Sequence, residues 1–182
     1  MEIKKLVSYP KSYEKKSNKK WPLILFLHGI GERGNNLELL KLHGIPKIID
    51  SNKEFPFITV SPQCPLEFDW RENKMQDKVI SMLENFIKNN NVDKERIYIT
   101  GLSMGGYGTW SILSKHPKLF AAAIPICGGG NPAKALKLKD IPIWTFHGED
   151  DDVIPVIETI NMVDAINNLN GNIKFTMYPN TK

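Results

Sequence analysis

The sequence predicts an α/β fold, with one mostly parallel central sheet, helices on both faces and a single domain over residues 1–182. Three observations predict it. Short apolar runs that are continuous rather than alternating read as strands buried on both faces. Amphipathic stretches of helical period separate them. At residues 97–110 an apolar strand passes through a Gly-x-Ser-x-Gly turn directly into a helical pattern. A composition of 41% apolar and 24% charged residues suits one globular domain with a sizeable core. No internal repeat or low-complexity linker divides the chain.

In chain order, strands are expected at residues 21–28, 57–61, 96–100, 121–126, 141–146 and 173–178. Met75, Val79, Met82, Leu83, Phe86 and Ile87 recur with helical spacing and end at Asn89-Asn90-Asn91. A second helix runs over residues 104–115 and is stopped by Pro117. A third, over residues 156–169, is closed by Asn170-Gly171. Strands alternating with helices imply right-handed crossovers, and ligands of such sheets bind beyond the carboxyl ends of the strands. Three segments meet that rule: residues 28–31, Ser103 and residues 148–152.

The net charge of +4 is local, because seven lysines fall within residues 1–20 and the remainder is close to neutral. A lysine run without interleaved aromatic rings reads as a solvated face, so no nucleic-acid partner is expected. The longest apolar run, residues 23–27, is far below the roughly 20 residues a membrane helix requires, so no membrane partner is expected. No apolar signal segment follows the N-terminal lysines, which suggests a cytoplasmic protein, or a secreted one if a leader has been removed. Cys64 and Cys127 are too few for a disulfide framework and read as unpaired and structural.

Ser103 is the predicted nucleophile. A sharp strand-to-helix turn presents its hydroxyl at the sheet edge, and Gly101 and Gly105 let the flanking backbones approach. A serine hydroxyl is weak alone and requires a histidine base and a carboxylate to orient that base.

Several blocks then occur in a telling order: Leu27-His28-Gly29-Ile30-Gly31-Glu32-Arg33-Gly34, Ser61-Pro62-Gln63-Cys64-Pro65, Asp93 with Arg96-Ile97-Tyr98, residues 101–110, and His147-Gly148 with Asp151 and Pro155. Over residues 20–180 the chain resembles the α/β-hydrolases, most of all the compact carboxylesterase, dienelactone-hydrolase and feruloyl-esterase-like branch, which includes predicted peptidases and depolymerases. The resemblance implies the α/β-hydrolase fold with no large cap domain. It also implies an oxyanion hole from the N–H groups of Ile30 and Met104. Asp151 becomes the acid through a His-Gly-x-x-Asp-x-x-Val/Ile-Pro pattern, and Asp152 is left to cap the following helix. Trp70 and Phe68 are candidates to line the acyl pocket, with plain packing as the alternative for Trp70. No metal site and no cofactor are implied.

The base is the exception. The resemblance implies the order Ser, Asp, His, yet His28, His43, His116 and His147 all precede Asp151. The expectation is therefore a histidine-bearing loop and final helix beyond residue 182. His28 and His147 read as loop braces, His116 lies at a helix end, and His43 precedes Gly44 in an expected helix C-cap. The expected function is hydrolysis of short, aryl or polymer-attached acyl esters by a carboxylesterase-type serine hydrolase. The alternatives are a peptidase or amidase using the same site, or a non-catalytic hydrolase-fold binding protein.

Overall fold

The computed structural model describes residues 3–51 and 54–182. Its centre is a seven-stranded sheet of β1 (Lys5–Ser8), β2 (Trp21–Leu27), β3 (Ile58–Pro62), β4 (Val92–Leu102), β5 (Ala122–Ile126), β6 (Ile143–Gly148) and β7 (Ile173–Tyr178), in the order β1-β3-β2-β4-β5-β6-β7. All neighbours are parallel except β1, which runs antiparallel to β3. The sequence reading lacks β1, because four half-buried residues at a sheet edge carry no long apolar run, and it also lacks the helix over residues 44–51. β4 begins earlier than expected, because the charged residues Asp93, Lys94 and Glu95 hide a pairing between Trp21 and Val92 that precedes a bulge.

Four α-helices connect the strands: α1 (Gly44–Ser51), α2 (Asn73–Asn89), α3 (Met104–Lys115) and α4 (Ile157–Asn167). Along β2, Phe26 packs under Gly44 at the start of α1, whereas its neighbour Leu27 packs under Gly108 of α3. Consecutive strand residues point to opposite faces, so α1 and α3 cover opposite faces. α2 lies beside α3, joined by Gln76 Nε2 to Ser111 Oγ at 2.7 Å and Lys115 to Asp77 at 2.7 Å. The two-sided cover does not extend evenly to β7. Ile124, Trp144 and Tyr178 share one face of β5–β7 and remain 40–49% exposed.

Gly44 opens a helix with φ +61 rather than closing one. His43 instead ends the 3-10 turn Leu37–Leu42, which corrects the expected α-helical C-cap. α4 ends as expected, with Asn170 left-handed at φ 52 and the Gly171 N–H donating to Ile166 O. No helix among the described residues is long and apolar enough to cross a membrane.

The core is continuous from Leu23, Leu25 and Leu27 of β2 through Ile97 and Ile99 of β4 to Trp110, Ile112 and Leu113 of α3. Leu25 has no exposed surface. Leu25→Ala is expected to cost about 2–5 kcal/mol through lost burial and the cavity left behind. Urea unfolding checks this, and a change below about 1 kcal/mol would contradict the placement of β2 at the centre of the core.

Candidate active site

The site is built at the C-terminal ends of β2, β4, β5 and β6. Ser103 follows β4 and holds φ 58, ψ −117, a conformation that L-residues adopt only under strain. The turn is held by the Ser103 N–H donating to Ile126 O at 3.0 Å. A side chain at Gly105 would run into the Leu27 carbonyl, and one at Gly101 into the Gly105 carbonyl. The glycine spacing is thus a requirement of backbone packing.

Met104 is the first residue of α3, and Ile30 is the first of the 3-10 turn Ile30–Glu32 after β2. At such positions no preceding turn supplies an acceptor for the N–H. Ile30 is itself 58% exposed, so its side chain leaves the approach open. Two buried residues fix the loop. His28 accepts the Cys64 N–H through Nε2 at 2.9 Å and donates from Nδ1 to Gly29 O. Gln63 Nε2 donates to Glu32 O and Asn36 O. Burial, chiefly, lowers the His28 pKa to about 4, against the opposing effect of the Gly29 hydrogen bond.

Glu32 had no assigned role in the sequence. Its carboxylate is buried, with Oε1 at 3.5 Å from His43 Nε2 and Oε2 without a hydrogen-bond partner among the described residues. Only the space over Gly29 separates Oε2 from Ser103 Cβ.

Asp151 lies in the loop after β6. Its Oδ1 accepts the Val153 and Ile154 N–H groups at 2.9 and 2.8 Å, and Oδ2 stands 3.5 Å from His147 Nε2. Between Asp151 and the nucleophile lies Cys127, a non-glycine residue at φ 39. Burial pushes its thiol up to about 11; a hydrogen bond from the Ser103 backbone opposes the rise and the Asp151 charge adds to it. The chain end also reaches this loop, with the Asp150 N–H donating to Thr181 O at 3.0 Å and Lys182 paired to Asp152 at 2.6 Å. Asp152 therefore does not cap α4, whose start has no side-chain cap.

Of the four histidines, His28 and His147 have both ring nitrogens in hydrogen bonds. His147 is buried between Thr159 Oγ1 and Ile154 O, each at 2.8 Å. His116 caps the far end of α3, about 18 Å along the helix from Ser103. His43 turns Nε2 toward Glu32, and no hydrogen bond reaches the Ser103 hydroxyl from any of the four among the described residues. Trp70 requires a correction. Its ring has no exposed surface and its indole N–H donates to His28 O at 3.0 Å, so it packs beneath the loop after β2 rather than lining a surface.

The comparisons with known proteins follow this geometry. The profile of the prolyl oligopeptidase family matches residues 65–131. A bifunctional acetylxylan esterase/xylanase of Neocallimastix patriciarum is 31% identical over 137 residues, covering 73% of this chain and 20% of that protein. Poly(3-hydroxyalkanoate) depolymerase C of Paucimonas lemoignei is 36% identical over 124 residues, 59% of this chain and 28% of its own. The crystal structure of a thermostable esterase superposes with a TM-score of 0.83 at 38% identity, over 97% of this chain and 51% of that one. The chain belongs to the α/β-hydrolase superfamily. This α/β-hydrolase chain thus spans about half the length of the solved esterase and less than a third of the two sequence relatives. Concavities of about 690 and 910 Å³ are lined from β1, α2 and the start of β4 rather than by Ser103, which is half-buried.

Two expectations test the site's physical state. Ser103→Gly relieves a strained φ and should raise unfolding free energy by about 1 kcal/mol, while an unchanged denaturation midpoint would show that the elbow stores no strain. Unfolded histidine takes a proton near pH 6.5, whereas folded His28 does so only at about 4. The unfolded state therefore binds more protons between these values. The stability due to neutral His28 is full above about pH 6.5 and falls by up to about 3 kcal/mol as pH drops toward 4. Urea unfolding across that window, with NMR titration of the His28 ring, checks it; titration near 6.5 in the folded state contradicts it.

Proposed function

We propose that this chain carries a serine carboxylic-ester hydrolase site acting on short, aryl or polymer-attached acyl esters. The observation that carries the reading is the strained Ser103 beside two helix-start N–H groups, at Met104 and Ile30. Ser103 Oγ attacks the ester carbonyl as its proton passes to an imidazole oriented by Asp151. The Met104 and Ile30 N–H groups hold the oxyanion, each contributing about 3–4 kcal/mol at the transition state. Collapse expels the alcohol, which takes the proton from the imidazolium, and water resolves the acyl-enzyme by the same steps in reverse.

Asp151 is suited to orient a base because two backbone N–H groups saturate Oδ1 and leave Oδ2 for an imidazole N–H. None of the four histidines is proposed as the base, because no hydrogen bond from any of them reaches the Ser103 hydroxyl among the described residues. Similarity to esterases and a depolymerase supports esters as the substrate class. A match to the prolyl oligopeptidase profile over the segment containing Ser103 supports amide hydrolysis as the second reading. Parallel assays of 4-nitrophenyl acetate and its anilide analogue separate the two.

With 4-nitrophenyl acetate, added imidazole should raise turnover by roughly ten- to a hundredfold, because it supplies the proton acceptor. Ser103→Ala should abolish both the basal and the rescued rate, and a fluorophosphonate should label Ser103 alone. Imidazole-dependent hydrolysis that survives Ser103→Ala overturns the mechanism. High basal turnover lost in His43→Ala would instead identify His43 as the base.

A further inference from the structure

The end of the sheet opposite Ser103 holds a concavity of about 910 Å³ that the ester-hydrolase reading leaves unused. β4 starts there, and at about 3.3 Å per residue it places Val92 roughly 30 Å from the end that leads into Ser103. The floor is apolar: Val92 and Ile97 are buried, and Ile87 and Leu119 are half-buried against the same core. The rim is basic, because Lys20, Lys88, Lys94 and Lys118 all line it and all are exposed. None of these four ammonium groups has a hydrogen bond or ion pair among the described residues. They outnumber the free carboxylates on the lining, Glu84 and Glu95, since Asp93 is taken by Arg96 at 2.7 Å. The segment that carries Lys20 is fixed in place. Asn91 Nδ2 donates to Glu14 O, Lys15 O and Ser17 O at 3.1, 2.9 and 2.6 Å, and Arg96 Nη2 donates to Lys20 O at 3.4 Å. Positive charge from four separate parts of the chain therefore surrounds one apolar floor.

We infer that this concavity is a second binding site, separate from Ser103, and that it takes an anion with an apolar body, a medium-chain carboxylate. The inference goes beyond ester hydrolysis and does not depend on it. The volume lies within the range of small-molecule sites, and the walls select the ligand's chemistry. A cation meets an excess of unneutralised ammonium groups. A small hydrated anion gains nothing from the floor, and exposed ion pairs alone contribute little. A neutral hydrocarbon covers the floor but leaves the lysine charges without a counterion. A carboxylate at the rim with its chain laid along Ile87, Val92, Ile97 and Leu119 uses both features at once. The lysine stems lengthen the apolar wall while their heads stay in water, which keeps the charges where the carboxylate emerges.

The test is calorimetry and amide NMR of the full chain, with decanoate held below its micelle concentration as the probe. Decanoate is expected to shift the amides of residues 87–95 and 118–119, and to bind the native chain and Ser103→Ala equally. Hexanoate should bind at least about tenfold more weakly, because four methylenes leave the floor. Decyltrimethylammonium should not compete. Lys88→Ala and Lys118→Ala should each weaken decanoate by about threefold, and Lys88→Glu with Lys118→Glu by at least about tenfold. These exposed positions tolerate substitution, which circular dichroism confirms, and hydrolysis of 4-nitrophenyl acetate should be unchanged in the double variant. Shifts confined to residues 30, 103 and 104, equal binding of decyltrimethylammonium, or a double variant within about twofold of the native chain overturns the inference. If no ester is hydrolysed while decanoate binding follows Lys88 and Lys118, the hydrolase reading falls and this site stands.

Discussion

The sheet edge that carries Ser103 depends on the approach of the first turn of α3 to the end of β2. That contact has no room for a side chain at Gly105, where Leu27 and His28 present their carbonyls, or at Gly101, where Gly105 does. Helix α3 therefore starts directly over the sheet, and the residue between strand and helix has to absorb the change of direction. Ser103 absorbs it at φ 58. Strain of this kind costs on the order of 1–3 kcal/mol and persists only where the surroundings over-determine it. Here the fully buried Leu23, Leu25, Leu27 and Ile99 supply that constraint, together with the Ser103 N–H bond to Ile126 O.

Other costly groups gather at the same edge. Cys127 is a second non-glycine residue at positive φ, and Glu32 holds a buried carboxylate oxygen without a partner among the described residues. Around them the backbone is pinned by His28, by Gln63 and by Arg33, which donates to Ile30 O, Leu66 O and Phe68 O. Unpartnered buried polar atoms also occur elsewhere among the described residues, at Trp21 Nε1, Gln63 Oε1 and His116 Nε2, so the cost is not confined to this edge.

How much could be read in advance depended on whether a residue's role is set by its immediate neighbours. Ser103 was legible because glycines at −2 and +2 state the backbone geometry directly. Asp151 was singled out from three consecutive aspartates by spacing, and Asp152, given the capping role, is instead tied to Lys182. For Trp70 the sequence left pocket lining and plain packing open, because a tryptophan before a helix suits either; packing holds, and its burial is decided by His28 and Gly108, far away in sequence. β1 escaped notice because an edge strand of four half-buried residues has no period of its own.

The arrangement separates two contributions to catalysis that are usually found together. In the proposed mechanism, oxyanion stabilisation and positioning need only Ser103, the two helix-start N–H groups and a rigid loop, and alone such a set leaves roughly 10³–10⁴ over water in triad knockouts. Proton transfer needs an imidazole with a free nitrogen facing the serine, and His28 and His147 have spent both nitrogens on hydrogen bonds within the fold. Freeing His147 would unpair Thr159 Oγ1 or the Ile154 carbonyl, and a buried group left unpaired costs about 1–3 kcal/mol. Asp151 has the opposite balance: one oxygen is saturated by backbone and the other lies outside that pair of bonds. An imidazole that takes no part in the fold's own hydrogen bonds costs the fold none of them, whereas recruiting His28 or His147 would break the bonds that brace the loops after β2 and β6.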